Sequence, residues 1–214
     1  MKTKPSPPES GYAIRHAIHS TNLAGNDLDD YLTKLLIESG YNTGYECDVS
    51  RDIKENYCYV NLNYDGETGL PGAGVEYELP DGQEITVDYC RSQCPEALFK
   101  PFLAGGEGGG IHQLTHEAIG KCESCIRPQL YSNVVLGGGG SLIPGIEARL
   151  EAELTTLAPA PREVHVTAPP DRKYSAWNGG SILAALSSFQ KMWVNKQEYD
   201  ECGPDSLVRK MSFS

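Results

Sequence analysis

Between Asn26 and Gly40 the run NDLDDYLTKLLIESG places Leu28, Tyr31, Leu32, Leu35 and Leu36 on one face at helical spacing. Asn26 reads as its N-cap, with Asp27, Asp29 and Asp30 where the helix dipole favours acids. Gly40 stands where a left-handed C-terminal cap belongs. A second helix is predicted after Asp48, with Val49, Ile53 and Tyr57 on one side and Lys54 and Glu55 pointing elsewhere. CYVNLNY reads as a strand, and VEYELPDGQEITV as a hairpin turning at Pro80-Asp81-Gly82. A helix is predicted from His112 to Lys121, and a buried strand from Asn133 to Leu136. Four glycines follow, then a helix starting at Ser141 or Pro144 with Ile146, Leu150, Leu154 and Leu157 as its core stripe. EVHVTAPP is a short strand stopped by Pro169 and Pro170. The final predicted helix, GGSILAALSSFQKMW, buries Ile182, Leu183, Leu186 and Phe189. This mixture of strands and helices predicts an α/β or α+β fold.

Composition narrows the partners. The 214 residues suffice for one good core or two small ones. A net charge of -11 argues against nucleic acid and anionic membranes, which both need a basic face. No apolar run approaches the length of a bilayer span. Met1 to Ser10 carries lysines without an apolar stretch and reads as a short disordered leader, not a signal peptide. Seven cysteines, an odd count, suggest reduced thiols in the cytosol. Cys90 and Cys94, with Cys122 and Cys125, are either a four-thiolate zinc site or scattered, partly buried thiols.

Three motifs carry candidate chemistry. His112 and His116 share a helix face, as in a zinc protease, but Gln113 stands where that motif needs a glutamate, so surface histidines are expected. Asp65 to Gly69, DGETG, is either a phosphate-gripping turn or a loop continuing into LPGAG. Gly137 to Gly140 join a strand to a helix start, where free amides and the helix dipole meet. Bare backbone there lets a planar base lie against the main chain.

Longer blocks point further. GYAIRHAI, LAGNDLDDYL, RDIKENYCYV, YELPDGQEITV, CPEALFKPF, GIHQLTHEAI, NVVLGGGGSLIPGI, LAPAPREVHVTAPPDRKYSAWNGGSILAALSSFQKMW and KQEYDECGP run in order from Gly11 to about Lys210. In that order and near that spacing they resemble actin, with a shortened loop around Asp65 to Gly74. The resemblance implies an α/β, actin-like ATPase-domain (ribonuclease H-like) fold, whose two lobes close around ATP or ADP with Mg²⁺ or Ca²⁺. It covers the second lobe plus C-terminal pieces of the first. Residues 11–23 and 107–174 match the inner part of the second lobe (subdomain 3-like), and 24–106 its outer insertion (subdomain 4-like). Residues 175–214 match an incomplete C-terminal part of the first lobe (subdomain 1-like), and 1–10 are the leader.

The resemblance also implies sites. Gly25 borders the ribose side, and Lys54 and Glu55 lie beside the purine and ribose. Gly138, Gly139 and Gly140 pack against the nucleotide, Leu142 and Ile143 flank the base, and Lys173 closes the adenine pocket. Gly140 stands for a threonine and Ile143 for a tyrosine of the family, which costs a hydroxyl and an aromatic face. The family's phosphate hairpins and water-orienting residues have no counterpart in this sequence, so no catalytic residue and no metal ligand is assigned. The implied protein is a divergent or truncated actin, cytoplasmic and cytoskeletal, with impaired ATP binding and filament assembly. FLAGGEGGG matches the family's apolar filament loop but keeps only Phe102 and Leu103, and by itself reads as a flexible loop. Ile182, Leu183, Leu186, Ser188 and Met192 match the partner groove, and equally read as core on an amphipathic helix. Implied partners are other actin-like subunits, actin-binding proteins and, for an exposed stripe, a chaperone, with neither nucleic acid nor a membrane span. The alternatives are a non-enzymatic interaction module, a zinc-stabilised variant, or an enzyme completed by another chain.

Overall fold

Helix α1 covers Gly25–Glu38 in a computed structural model that describes residues 2–3, 13–41, 47–64, 74–160, 163–189 and 193–205. The predicted DGETG turn, Met192 and the leader apart from Lys2 and Thr3 lie outside those residues. Leu28, Tyr31, Leu32, Leu35 and Leu36 are buried as their spacing predicts. Asn26 is not the N-cap: the helix begins at Gly25, and the Asp27 carboxylate accepts the Ala24 N–H at 2.7 Å from inside the first turn. Gly40 has φ 90°, the left-handed conformation that suits glycine.

Helix α2, Cys47–Tyr57, packs on α1 through buried Val49 and Ile53. Thr33 Oγ1 and Ser50 Oγ meet at 2.6 Å between the two helices. Lys54 is buried as well, not turned away from the core side as predicted. CYVNLNY forms no described strand, because its backbone bonds go to two different segments. The Tyr59 N–H donates to Arg91 and the Val60 N–H to Pro144.

The hairpin forms as predicted. Strands β3 (Val75–Glu78) and β4 (Glu84–Val87) pair antiparallel, with Ile85 and Val87 buried and Gly82 at φ 82° in the turn. Helices α3 (Cys90–Glu96) and α5 (Arg127–Tyr131) were not predicted. Each is under two full turns long, too short to display an apolar repeat. Helix α4, Ile111–Gly120, falls within a residue of its predicted span. At the chain start β1 (Lys2–Thr3) pairs antiparallel with β2 (His19–Ser20).

Strands β5 (Val134–Val135) and β6 (Val166–Thr167) pair parallel. Val135 is exposed, so β5 is half-buried and not the buried strand expected. Helix α6, Ile146–Leu157, buries Ile146, Leu150 and Leu154, whereas Leu157 reaches solvent at the helix end.

Two compact units divide the chain, Met1–Lys173 and Tyr174–Ser214. The first holds two apolar clusters. The larger joins α1, α2, the hairpin and α3 to Leu136, Ile143, α6 and Val166. The smaller gathers Ala17, Ile119, Cys122, Leu130 and Tyr131. Within the larger, Arg149 of α6 grips both carboxylate oxygens of fully buried Glu96 at 3.0 and 3.1 Å. Its Nε donates to Glu153 at 2.8 Å, and its guanidinium lies 4.9 Å from the Phe99 ring centroid. Paired and stacked in this way, the two charges tolerate burial that neither would alone.

The second unit contains α7 (Ser175–Ala185) and α8 (Lys196–Cys202). Helix α7 starts and ends earlier than predicted, and Leu186 already has extended backbone. None of its residues is buried: Ile182 is 68% exposed and Trp177 74%. Leu183 and Leu186 are exposed too, against the expectation of burial. Phe189 is half-buried and meets Trp193 edge to face at 6.0 Å. Asn195 caps α8 by accepting the Glu198 N–H.

Candidate functional site

The glycine run is built from the β5–β6 ladder outward. The Val134 N–H donates to His165, the Leu136 N–H to Thr167 and the Gly138 N–H to Arg172, at 3.1, 2.9 and 2.8 Å. Gly138 then turns the chain with φ 91°, which a side chain would resist. A 3₁₀ turn, Gly139–Leu142, follows, closed by Ser141, whose hydroxyl donates to the Gly138 carbonyl at 2.7 Å. Arg172 staples the loop: it donates twice to the Ser141 carbonyl, at 2.9 and 3.1 Å, and to the Ala168 and Pro169 carbonyls. At the far end the Pro144 carbonyl accepts from Val60, and a Cβ on Gly145 would sit 2.4 Å from the Val60 carbonyl oxygen.

The outer side of this loop is open. Gly137 to Gly140 are exposed, and a Cβ on Gly138 or Gly140 would meet nothing within 4 Å. A Cβ on Gly139 would meet only Lys173 Cγ, at 3.8 Å. Leu142 is exposed beside the loop, while Ile143 is buried in the larger core.

A second group forms where α1 and α2 meet. Lys54 Nζ donates to the Gly25 carbonyl at 2.8 Å and contacts the Asp29 carboxylate. Lys54 is 7% exposed and Asp29 3%. Arg51 Nε lies 3.7 Å from the other Asp29 oxygen. Glu55 is exposed on the next position of α2. Predicted residues therefore meet in two sets, Gly25 with Lys54 and Gly139 with Lys173. The Val60–Pro144 bond ties the segment after α2 to the loop end. Arg172 and Asp29 were missed from sequence. Arg172 is a single cation after a Pro-Pro turn, and Asp29 looks like any acid of a first helical turn.

The remaining candidates fall elsewhere. His112 is half-buried and stacked on Phe99 at 5.7 Å, and burial pushes its pKa below the ordinary value. His116 Nδ1 bonds the Tyr131 hydroxyl at 2.8 Å, so both histidines are built into the fold and are not plain surface residues. Cys90 and Cys94 belong to the larger core, Cys122 to the smaller, and Cys125 is exposed. The hydrogen bond with Cys58 and burial push the Cys94 thiol well up, and burial raises Cys90 and Cys122. Among the described residues no cluster of three or more metal-ligating side chains occurs. The Gly105–Gly109 loop is tied down by bonds from Gly105 to Phe102 and from Gly106 to Pro101. It walls a cavity of about 530 Å³ with Ser20–Leu23, Asp27, Pro101, Ala104 and Leu114, which includes none of the predicted nucleotide residues.

The family model for actin matches residues 2–212. The chain belongs to the actin family. Its mixed helix and strand content fits the actin-like α/β fold. The family is known to bind nucleotide with a divalent metal, and the open glycine shelf fits the flat part of such a ligand. Ile143 does not fit a base-flanking role, because its side chain faces the core. The ammonium of Lys54 does not fit a ligand contact, because it is already bonded inside the protein. No helix of the described residues is long and apolar enough to cross a membrane.

Proposed function

We propose that this actin-family chain is an actin-like cytoskeletal protein that supplies the adenine-facing wall of a nucleotide pocket. The wall consists of Gly25, the stem of Lys54 and Glu55 on the ribose side, and of Gly138, Gly139, Gly140, Leu142 and Lys173 on the base side, with Ile143 packed in the core behind it. The observation that carries the reading is the stapled glycine loop, whose outer side is open for a planar ring to rest on. In the same reading residues 11–23 and 107–174 are the inner part of the second lobe, 24–106 its outer insertion and 175–214 a part of the first. The smaller cluster, drawn wholly from the first two of those segments, supports this division, as does the unit boundary at Lys173.

Nucleotide binding and filament assembly by this polypeptide alone are impaired. Gly140 and Ile143 replace a hydroxyl and an aromatic ring of the family, the net charge of -11 repels a triphosphate, and the filament loop is mostly glycine. The chain alone therefore shows no ATPase. Titration with labelled ATP and Mg²⁺ tests this, since micromolar affinity is incompatible with it, and a pelleting assay tests polymerisation. One observation favours a second reading, a non-enzymatic interaction module in the cytoplasm: Trp177, Ile182, Leu183 and Leu186 are all exposed on or next to one helix. Capture of actin or of actin-binding proteins by the full chain, lost in Ile182→Ser, supports that alternative.

A further inference from the structure

The two charges where α1 meets α2 are placed for each other. Asp29 is 3% exposed, and neither of its oxygens makes a well-aligned hydrogen bond. Its charge is balanced by the Lys54 ammonium in contact with it and, more distantly, by Arg51 at 3.7 Å. The same ammonium donates to the Gly25 carbonyl at 2.8 Å, at the first residue of α1. If Lys54 swung out to meet a phosphate, a buried carboxylate would lose its closest partner, a strongly unfavourable exchange. The Gly25 carbonyl would lose its donor as well.

We infer that Lys54 is a positioning residue: Asp29 holds its ammonium inside the protein, where it pins the Gly25 carbonyl and meets no ligand charge. The inference rests on the proposal above that Gly25 and Lys54 border a bound nucleotide, and it narrows the ligand chemistry there. A ligand seated at Gly25 faces backbone and the lysine stem, which suit the uncharged sugar end of a nucleoside and not its phosphates. Asp29 thereby shapes the wall without touching the ligand.

Amine acylation of the full chain reads this directly. With N-hydroxysuccinimidyl acetate and mass spectrometry, Lys54 acylates at least about tenfold more slowly than exposed Lys34 of α1. Millimolar Mg-ATP or adenosine leaves that ratio unchanged. Asp29→Asn speeds acylation of Lys54 several-fold without moving Lys34. Equal rates at Lys54 and Lys34, or further protection of Lys54 by Mg-ATP, overturn the inference. Thermal unfolding supplies a second measurement. Lys54→Met and Asp29→Leu each lower the Tm by about 5 °C or more, and the double variant unfolds above either single one. Additive losses also overturn it. If adenosine and Mg-ATP fail to bind the wild-type chain even at millimolar concentration, the pocket proposal falls, while the labelling and the double variant still decide the role of Lys54.

Discussion

Helices α1 and α7 both carry residues expected in the core, and they meet opposite fates. In α1 every residue of the predicted stripe is buried, because α2 and α3 lie against it. In α7 Ile182 and Leu183 reach solvent, and no residue of the helix is buried. The whole predicted stripe of α1 is helical, whereas α7 ends at Ala185, before Leu186 and Phe189 of its predicted stripe. Burial needs a second apolar face at the right distance, which the helix itself does not encode. The same contrast separates Glu96, a charge accepted inside because Arg149 meets it, from the charges of α8, which pair in solvent as Lys196 with Asp200.

The contrast can be broken at several points. Arg149→Met strands the Glu96 carboxylate in the core and should cost about 4 kcal/mol. Chemical denaturation reads this, and Glu96→Leu added to it should restore part of the loss. Leu32→Ala in α1 should cost about 3 kcal/mol, because the side chain is fully buried and the site cannot collapse freely. Gly138→Ala should cost about 1–2 kcal/mol through its positive φ, with faster amide exchange at Ser141 as a local readout.

His112 gives a smaller, pH-dependent effect. Burial lowers its folded-state pKa below the ordinary value of 6.5, so the unfolded chain takes up the proton first. Its contribution is present above pH 6.5 and is lost as pH falls through and below that value. His112→Gln should flatten the decline of Tm with acid in that window. The smallest effect is expected at Ile182→Ser, within about 0.5 kcal/mol, because an exposed side chain has little burial to lose. A loss as large as that of Leu32→Ala would show that the α7 stripe is packed after all.

Much of the fold was legible from local pattern. Helix α1, the β3–β4 hairpin, α4 and most of α6 follow from apolar spacing and turn residues, and the long shared blocks pointed to the family. The short helices α3 and α5 were not legible, since five or seven residues hold too few turns to display a period. The glycine run was recognised as a place where backbone is exposed. Nothing in its own residues announced that Arg172, on the far side of β6, would close it.

The sequence by itself determined α1, α4, most of α6 and the β3–β4 hairpin with its turn, because those elements depend on neighbours a few residues apart. Tertiary structure alone decided which side chains are available for chemistry. Lys54 and Ile143 sit in matched motifs, yet one is bonded to Asp29 and Gly25 and the other is packed in the core. Availability depends on atoms brought together from distant positions, and a linear pattern carries no record of that distance.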